Sequence, residues 1–190
     1  MNQTRGRWGG KHVLSFQEYH SNPAEWDIPG LVDAHRSLGG TYDLVAGIPV
    51  EERVTGSVRF RQLWYALSGG VRANDPACVE LAVRFIEAHL IVSYAGFARQ
   101  RLARALRHAV LTEDQRRRLS AHFLQLLERE DRCHEFRDYL RLWSDIASDS
   151  VRRRALELVS RYPDDGFARL VVEVLTRRPG TADRLGGKPP

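Results

Sequence analysis

The chain has 190 residues, of which 43% are hydrophobic and 28% charged, and a formal net charge of +5. That length supports one domain with a real core, and the composition excludes global disorder. No apolar run reaches the ~18–20 residues of a membrane span, and the basic start "MNQTRGRWGGKHV" lacks the apolar stretch of a secretory signal.

Cys78 and Cys133 are the only cysteines. Two thiols suit small buried hydrophobes in a reducing compartment better than a disulfide framework, which places the chain in the cytoplasm. The positive charge is almost all arginine, Lys11 and Lys188 being the only lysines. A basic chain invites nucleic acid or an acidic protein as partner. A GC-rich coding bias gives the same arginine excess with no functional cause.

Residues 1–56 are punctuated by glycine and proline and read as an irregular N-terminal arm. Within it "DIPGLVDAHRSLGG" predicts one short helix, with Asp27 as cap, Pro29 in the first turn and Gly39-Gly40 as stop. "KHVLSF" reads as a short strand or an extended arm. Trp8, Phe16, Tyr19 and Trp26 are too apolar for a free tail and are expected to dock on the helical body or on a partner.

From residue 57 to about 178 the pattern is helical. "SVRFRQLWYAL" puts Phe60, Leu63, Trp64 and Leu67 on one face, with Gly69-Gly70 as its expected end. Asp75 and Pro76 open the next helix as N-cap and first residue, and Val79, Ala82, Val83, Ile86 and Leu90 form its stripe. Ser93 is the expected cap of a helix running to about Ala109. Thr112 and Gln115 form a T-x-x-Q capping box before Leu119, Phe123, Leu126 and Leu127. "HEFRDYLRLWSDIA" follows, and the last two helices start near Asp149 and Asp164. Residues 179–190 carry no stripe and read as a disordered tail. The expected fold is all-α: about seven helices as stacked antiparallel hairpins, either a compact bundle or a short solenoid.

"ASDSVRRRALELVSR" resembles the second helix of a HEAT repeat, with an acidic turn followed by V-R-x-x-A at Val151, Arg152 and Ala155. "NDPACVELAVRFIEA" is similar in its Asp75-Pro76 turn and Val79, but has Glu80 where the family usually has Arg and Val83 where it usually has Ala. The resemblance implies a scaffold of stacked helix pairs that binds proteins or nucleic acid and carries no catalysis.

"GFARQRLARALRHAVLTEDQRRRL" poses the functional question. At roughly 100° per residue, Arg99, Arg107, Arg104 and Arg101 fall near 0°, 80°, 140° and 200°, with the apolar residues between about 240° and 40°. No acid occurs between Glu87 and Glu113, so the like charges at Arg101, Arg104 and Arg107 have no helix-borne relief. A second acid-free stretch, Glu52 to Asp75, holds Arg53, Arg59, Arg61 and Arg72, with Trp64 and Tyr65 among them. Adjacent helices would merge Arg59, Arg61, Arg72 and the quartet Arg99, Arg101, Arg104 and Arg107 into one basic, aromatic face. The opposing reading has the acids of the next hairpin, Glu113, Asp114, Glu128, Glu130, Asp131, Glu135 and Asp138, neutralise it. Arg116, Arg117 and Arg118 follow Glu113 and Asp114 and read as a solvated face.

No phosphate-binding loop, dinucleotide fingerprint or nucleophile elbow is present. Cys133, His134 and His122 lack the spacing of a zinc site. Glu18, His20, Glu25, Asp27, Asp33 and His35 are a weaker candidate for acid–base chemistry. No catalytic, metal or cofactor residue is assigned. The sequence therefore reads as a non-catalytic interaction module, an adaptor or structural subunit that binds a protein partner or larger assembly. The alternative is a sequence-independent nucleic-acid binder using the same arginines, and no membrane association is expected.

Overall fold

In the computed structural model the described residues are 26–46, 56–91 and 94–177, without the side chains of 56–60. "KHVLSF", Trp8, Phe16, Tyr19, Ser93, the side chains of Arg59 and Phe60, and residues 179–190 lie outside this set.

Eight helices occur among the described residues, and no strand: α1 (Ile28–Ser37), α2 (Gly56–Arg72), α3 (Pro76–Ala88), α4 (Ala95–Leu106), α5 (Glu113–Glu128), α6 (Phe136–Ile146), α7 (Asp149–Val159) and α8 (Gly166–Thr176). The fold is all-α, as the periodicity requires. Each helix packs on the one two places further along the chain, so α1, α3, α5 and α7 form one layer and α2, α4, α6 and α8 the other. The layers are joined through α1/α2, α2/α3, α3/α4, α5/α6 and α7/α8. No helix of the described residues is long and apolar enough to cross a membrane.

The helix starts follow local chemistry. Asp27 accepts from the Gly30 amide at 2.8 Å, Thr112 and Gln115 close their capping box, and Asp165 accepts from the amides of Phe167 and Ala168. The last helix thus starts at Gly166, just beyond the Asp164 that the sequence suggested. α4 ends three residues before Ala109, in a turn where the amides of His108 and Ala109 donate to the carbonyls of Ala105 and Leu106.

Gly69-Gly70 does not end α2, which continues to Arg72. A Cβ on Gly70 would lie 2.3 Å from the Cys78 sulfur, and one on Gly69 2.5 Å from the Tyr42 hydroxyl. The glycines let α3 and the 40–46 segment approach the α2 backbone, a gain that outweighs their poor helix propensity.

One core runs through both layers. At one end Trp64 lies 3.8 Å from Phe85, and Trp26 meets Phe85 edge-on at 5.0 Å. Trp26 and Leu31 are buried, so the start of the described chain packs into the helical body. At the other end Phe123 stacks on Tyr139 at 4.7 Å, and Phe136 meets Phe167 at 5.0 Å.

Asp75 ties the first end together. Its Oδ1 accepts from the Cys78 amide at 2.8 Å and from His35 Nε2 at 3.1 Å. Its Oδ2 accepts from the Thr41 and Tyr42 amides and the Thr41 hydroxyl. Burial alone would push this carboxyl up, but the amide bonds outweigh it and hold the group well below the usual carboxylate range. Asp75→Ala, which strands these donors as well as removing the cap, should cost about 2–4 kcal/mol in chemical denaturation. A loss under about 1 kcal/mol would show the cap alone to matter.

Candidate binding groove between α2 and α4

α2 and α4 are neighbours in one layer, so the two acid-free stretches meet. Between them opens a cavity of about 310 Å³ lined by Arg61, Trp64, Tyr65, Tyr94, Phe97, Ala98, Gln100, Arg101 and Arg104. Trp64 is buried, whereas Phe97 is 74% exposed and Tyr65 and Tyr94 are each 42% exposed. The Arg101 guanidinium lies 3.9 Å from the centre of the Tyr65 ring, which holds the cation over an aromatic face.

The arginine quartet divides. Arg99 is only 5% exposed and is not a surface group. Its Nε donates to Glu135 Oε1 at 2.6 Å, and its Nη1 donates to the Leu90 carbonyl. Arg104 grips Asp138 with two bonds, 2.9 and 3.1 Å, while its side chain stays 55% exposed. Burial alone would push Asp138 up; bonds from Arg104 and Gln100 and the Arg104 charge hold it below its ordinary value. Arg107 donates to Asp145 at 2.8 Å. Arg101 and Arg61 have no carboxylate partner among the described residues, nor has the exposed Arg72 at the end of α2.

Arg118 does not fit the solvated face expected of residues 116–118. It bridges Glu80 at 2.9 Å and Glu87, both on α3, and so clamps α5 to α3. Arg152, from the HEAT-like segment, donates to the carbonyls of Ala147, Ser144 and Leu175, binding α7 to the ends of α6 and α8.

The N-terminal acid–base set does not assemble among the described residues. Asp27 caps α1, Asp33 pairs with Arg36, and His35 is buried against Asp75. Glu18, His20 and Glu25 lie outside the described residues. Sequence reasoning missed the His35–Asp75–Cys78 cluster, whose three ligand atoms lie within 4.8 Å of one another. Forty positions separate His35 from Asp75, and no local signal links them. Burial, then the Asp75 carboxylate, push the Cys78 thiol far up, so it is a neutral packing group there. Both Asp75 oxygens are already engaged, and the cluster serves as a structural joint.

His122 and His89 form a half-buried pair, with rings 5.8 Å apart and His89 bonded to Asp131 at 3.0 Å. Burial, then the charges of His89, Arg99 and Arg129, lower His122 to about 4. Burial pushes the nearby Cys133 thiol up to about 12.

Phe97 and Tyr94 were also missed. Phe97 falls near 160° on the α4 wheel, between Arg104 and Arg101 on the polar side, and an apolar ring so placed is the signal that marks it. Set against known proteins, the chain gives no significant match to any family model, curated protein or solved structure. Among the described residues the fold is all-helical and carries an aromatic, arginine-lined surface recess between α2 and α4.

Two outcomes test these roles. Arg99→Met leaves Glu135 buried and unpaired and should cost about 3–5 kcal/mol in urea unfolding, whereas Arg101→Gln should cost less than about 1 kcal/mol. Equal losses would contradict the division. For His122 the folded value lies below the unfolded one, so the unfolded chain binds the extra proton. Stability is therefore full above about pH 6.5 and falls as acid is added, by about 2 kcal/mol between about pH 7 and pH 5. His122→Phe should remove that part of the slope; an unchanged slope assigns it to other groups.

Proposed function

We propose that the chain is a non-catalytic helical interaction module, an adaptor or structural subunit in the cytoplasm that binds a protein partner through the α2/α4 groove. The observation that carries this reading is Phe97, 74% exposed on the arginine-bearing side of α4, beside the exposed rings of Tyr65 and Tyr94. Exposed aromatic and arginine side chains around a recess match the composition of binding hot spots. The two-layer stacking of helix pairs and the Val151–Arg152–Ala155 segment support a HEAT-like scaffold, on which such a surface is held rigid.

The nucleic-acid reading draws on the same rings, which are a stacking platform of the kind that binds single strands. It is weaker because Arg99, Arg104 and Arg107 are taken by Glu135, Asp138 and Asp145. A backbone track needs successive free cations, and the α4 face supplies few.

A photo-crosslinking residue placed at Phe97, in the full chain in its own cells, should give a discrete protein adduct. The same residue at Val172, an exposed position on α8, should not. A nuclease-sensitive adduct at Phe97 would favour nucleic acid, and no adduct specific to Phe97 would overturn the groove as a docking site. Phe97→Ala should leave stability within about 0.5 kcal/mol and abolish the contact.

A further inference from the structure

We infer that the groove takes an acidic–aromatic peptide segment: an apolar or aromatic side chain seated in the cavity, with carboxylates beside it meeting Arg61 and Arg101. This rests on the reading of the groove as a protein-docking site and adds the chemistry of what docks.

Charge complementarity decides the sign. Among the described residues three arginines and no carboxylate line the cavity. Arg104 already spends both prongs on Asp138, a carboxylate that is itself buried, and so contributes little free charge. Arg61 and Arg101, one on each wall, have no ionic partner among the described residues. Arg101 is also preorganised. Its flat face rests on Tyr65, which leaves the N–H edge directed elsewhere and lowers the entropy cost of binding an oxygen pair. A lysine or arginine in the ligand would meet like charge, with no lining acid among the described residues to relieve it.

The walls decide the rest. Phe97, Tyr94 and Tyr65 surround a floor of Trp64 and Ala98, an apolar seat between the two cations. At about 310 Å³ the recess lies at the small end of ligand pockets, roughly 300–1,000 Å³. Along α4 the positive field is limited, because Asp138 and Asp145 answer Arg104 and Arg107. A compact ligand with one or two carboxylates fits that field; a polyphosphate chain outruns it.

The test uses the full-length protein against a displayed library of random peptides about a dozen residues long. The strongest peptides are then resynthesised with a fluorophore and titrated by anisotropy. A short oligothymidylate serves as the nucleic-acid probe. Selected peptides should share an aromatic or large aliphatic residue flanked by Asp or Glu. The double variant Arg61→Glu/Arg101→Glu should weaken them about a hundredfold, roughly tenfold per charge pair. Repeating the selection on that variant should return Lys- or Arg-flanked peptides, a reversal that damage to the fold would not produce. Thermal melting checks that each variant is folded.

Peptides without acidic residues that are lost on Phe97→Ala would leave the groove reading standing and overturn this one. Peptides indifferent to both Phe97→Ala and the double variant would overturn both. Failure to select any peptide overturns the inference. So does saturable oligothymidylate binding that the double variant abolishes, which would transfer the groove to nucleic acid.

Discussion

The buried pair between Arg99 and Glu135 sets the orientation on which the groove depends. α4 begins at Tyr94 in a left-handed conformation with no side-chain cap, so its first turn lacks local support. Glu135 supplies it from a distance: its carboxylate lies where a Cβ on Gly96 would be only 3.3 Å away, beside the positive end of the helix. Arg99 neutralises that carboxylate and also satisfies the Leu90 carbonyl just past α3. Three chain segments thus meet at one guanidinium. Helix geometry then leaves no choice for the rest of α4. With Arg99 turned inward, Phe97 and Arg101 lie roughly 160° away on either side of it and must face outward. A desolvated charge pair is costly in stability terms. Here it also fixes the phase of the helix that presents the groove.

Arginine does the same kind of work elsewhere. Arg118 bridges α5 to Glu80 and Glu87 of α3, and Arg152 gathers carbonyls from the ends of α6 and α8. Both act between helices, though Arg118 also reaches Asp114 of its own helix. The planar fork makes several directed bonds from one side chain, which a lysine cannot reproduce. Part of the basic character of the chain is therefore fastening between helices, and net charge overstates the cationic surface available to a ligand.

This explains which parts of the structure were legible in the sequence. Helix existence, the Asp75 and Thr112 caps and most of the apolar stripes are local, repeating within one or two turns, and are found where the pattern puts them, except that Leu90 falls just past the end of its helix. Gly69-Gly70 was misleading because glycine signals both a stop and a close approach, and only the neighbouring Cys78 and Tyr42 decide between them. The partners of Arg99, Arg104 and Arg107 lie on or beside α6, more than thirty positions away. The question of neutralising acids could be posed from the sequence, but its answer needed the packing. The exposed ring of Phe97 is legible on the helical wheel, as an apolar residue on a face otherwise dominated by arginine.

The two layers differ in how completely their outward charges are answered. On the α3/α5 side Glu80 accepts from Arg84, Gln115 and Arg118, so acid and base are balanced within the protein. On the α2/α4 side the balance among the described residues comes from α6 and, of the outward arginines, reaches Arg104 and Arg107. α2 brings no acid of its own after Glu52, and Asp75 at its far end is turned inward to His35 and the 41–42 amides. The groove is thus the place where the internal compensation stops, between a layer neighbour that supplies carboxylates and one that does not. The aromatic rings sit at that same boundary, where a folded protein would ordinarily place charged or small polar groups in contact with water. Unanswered charge and uncovered apolar surface have one remedy in common. It is a ligand carrying both complements, held by helices whose positions are already fixed from within.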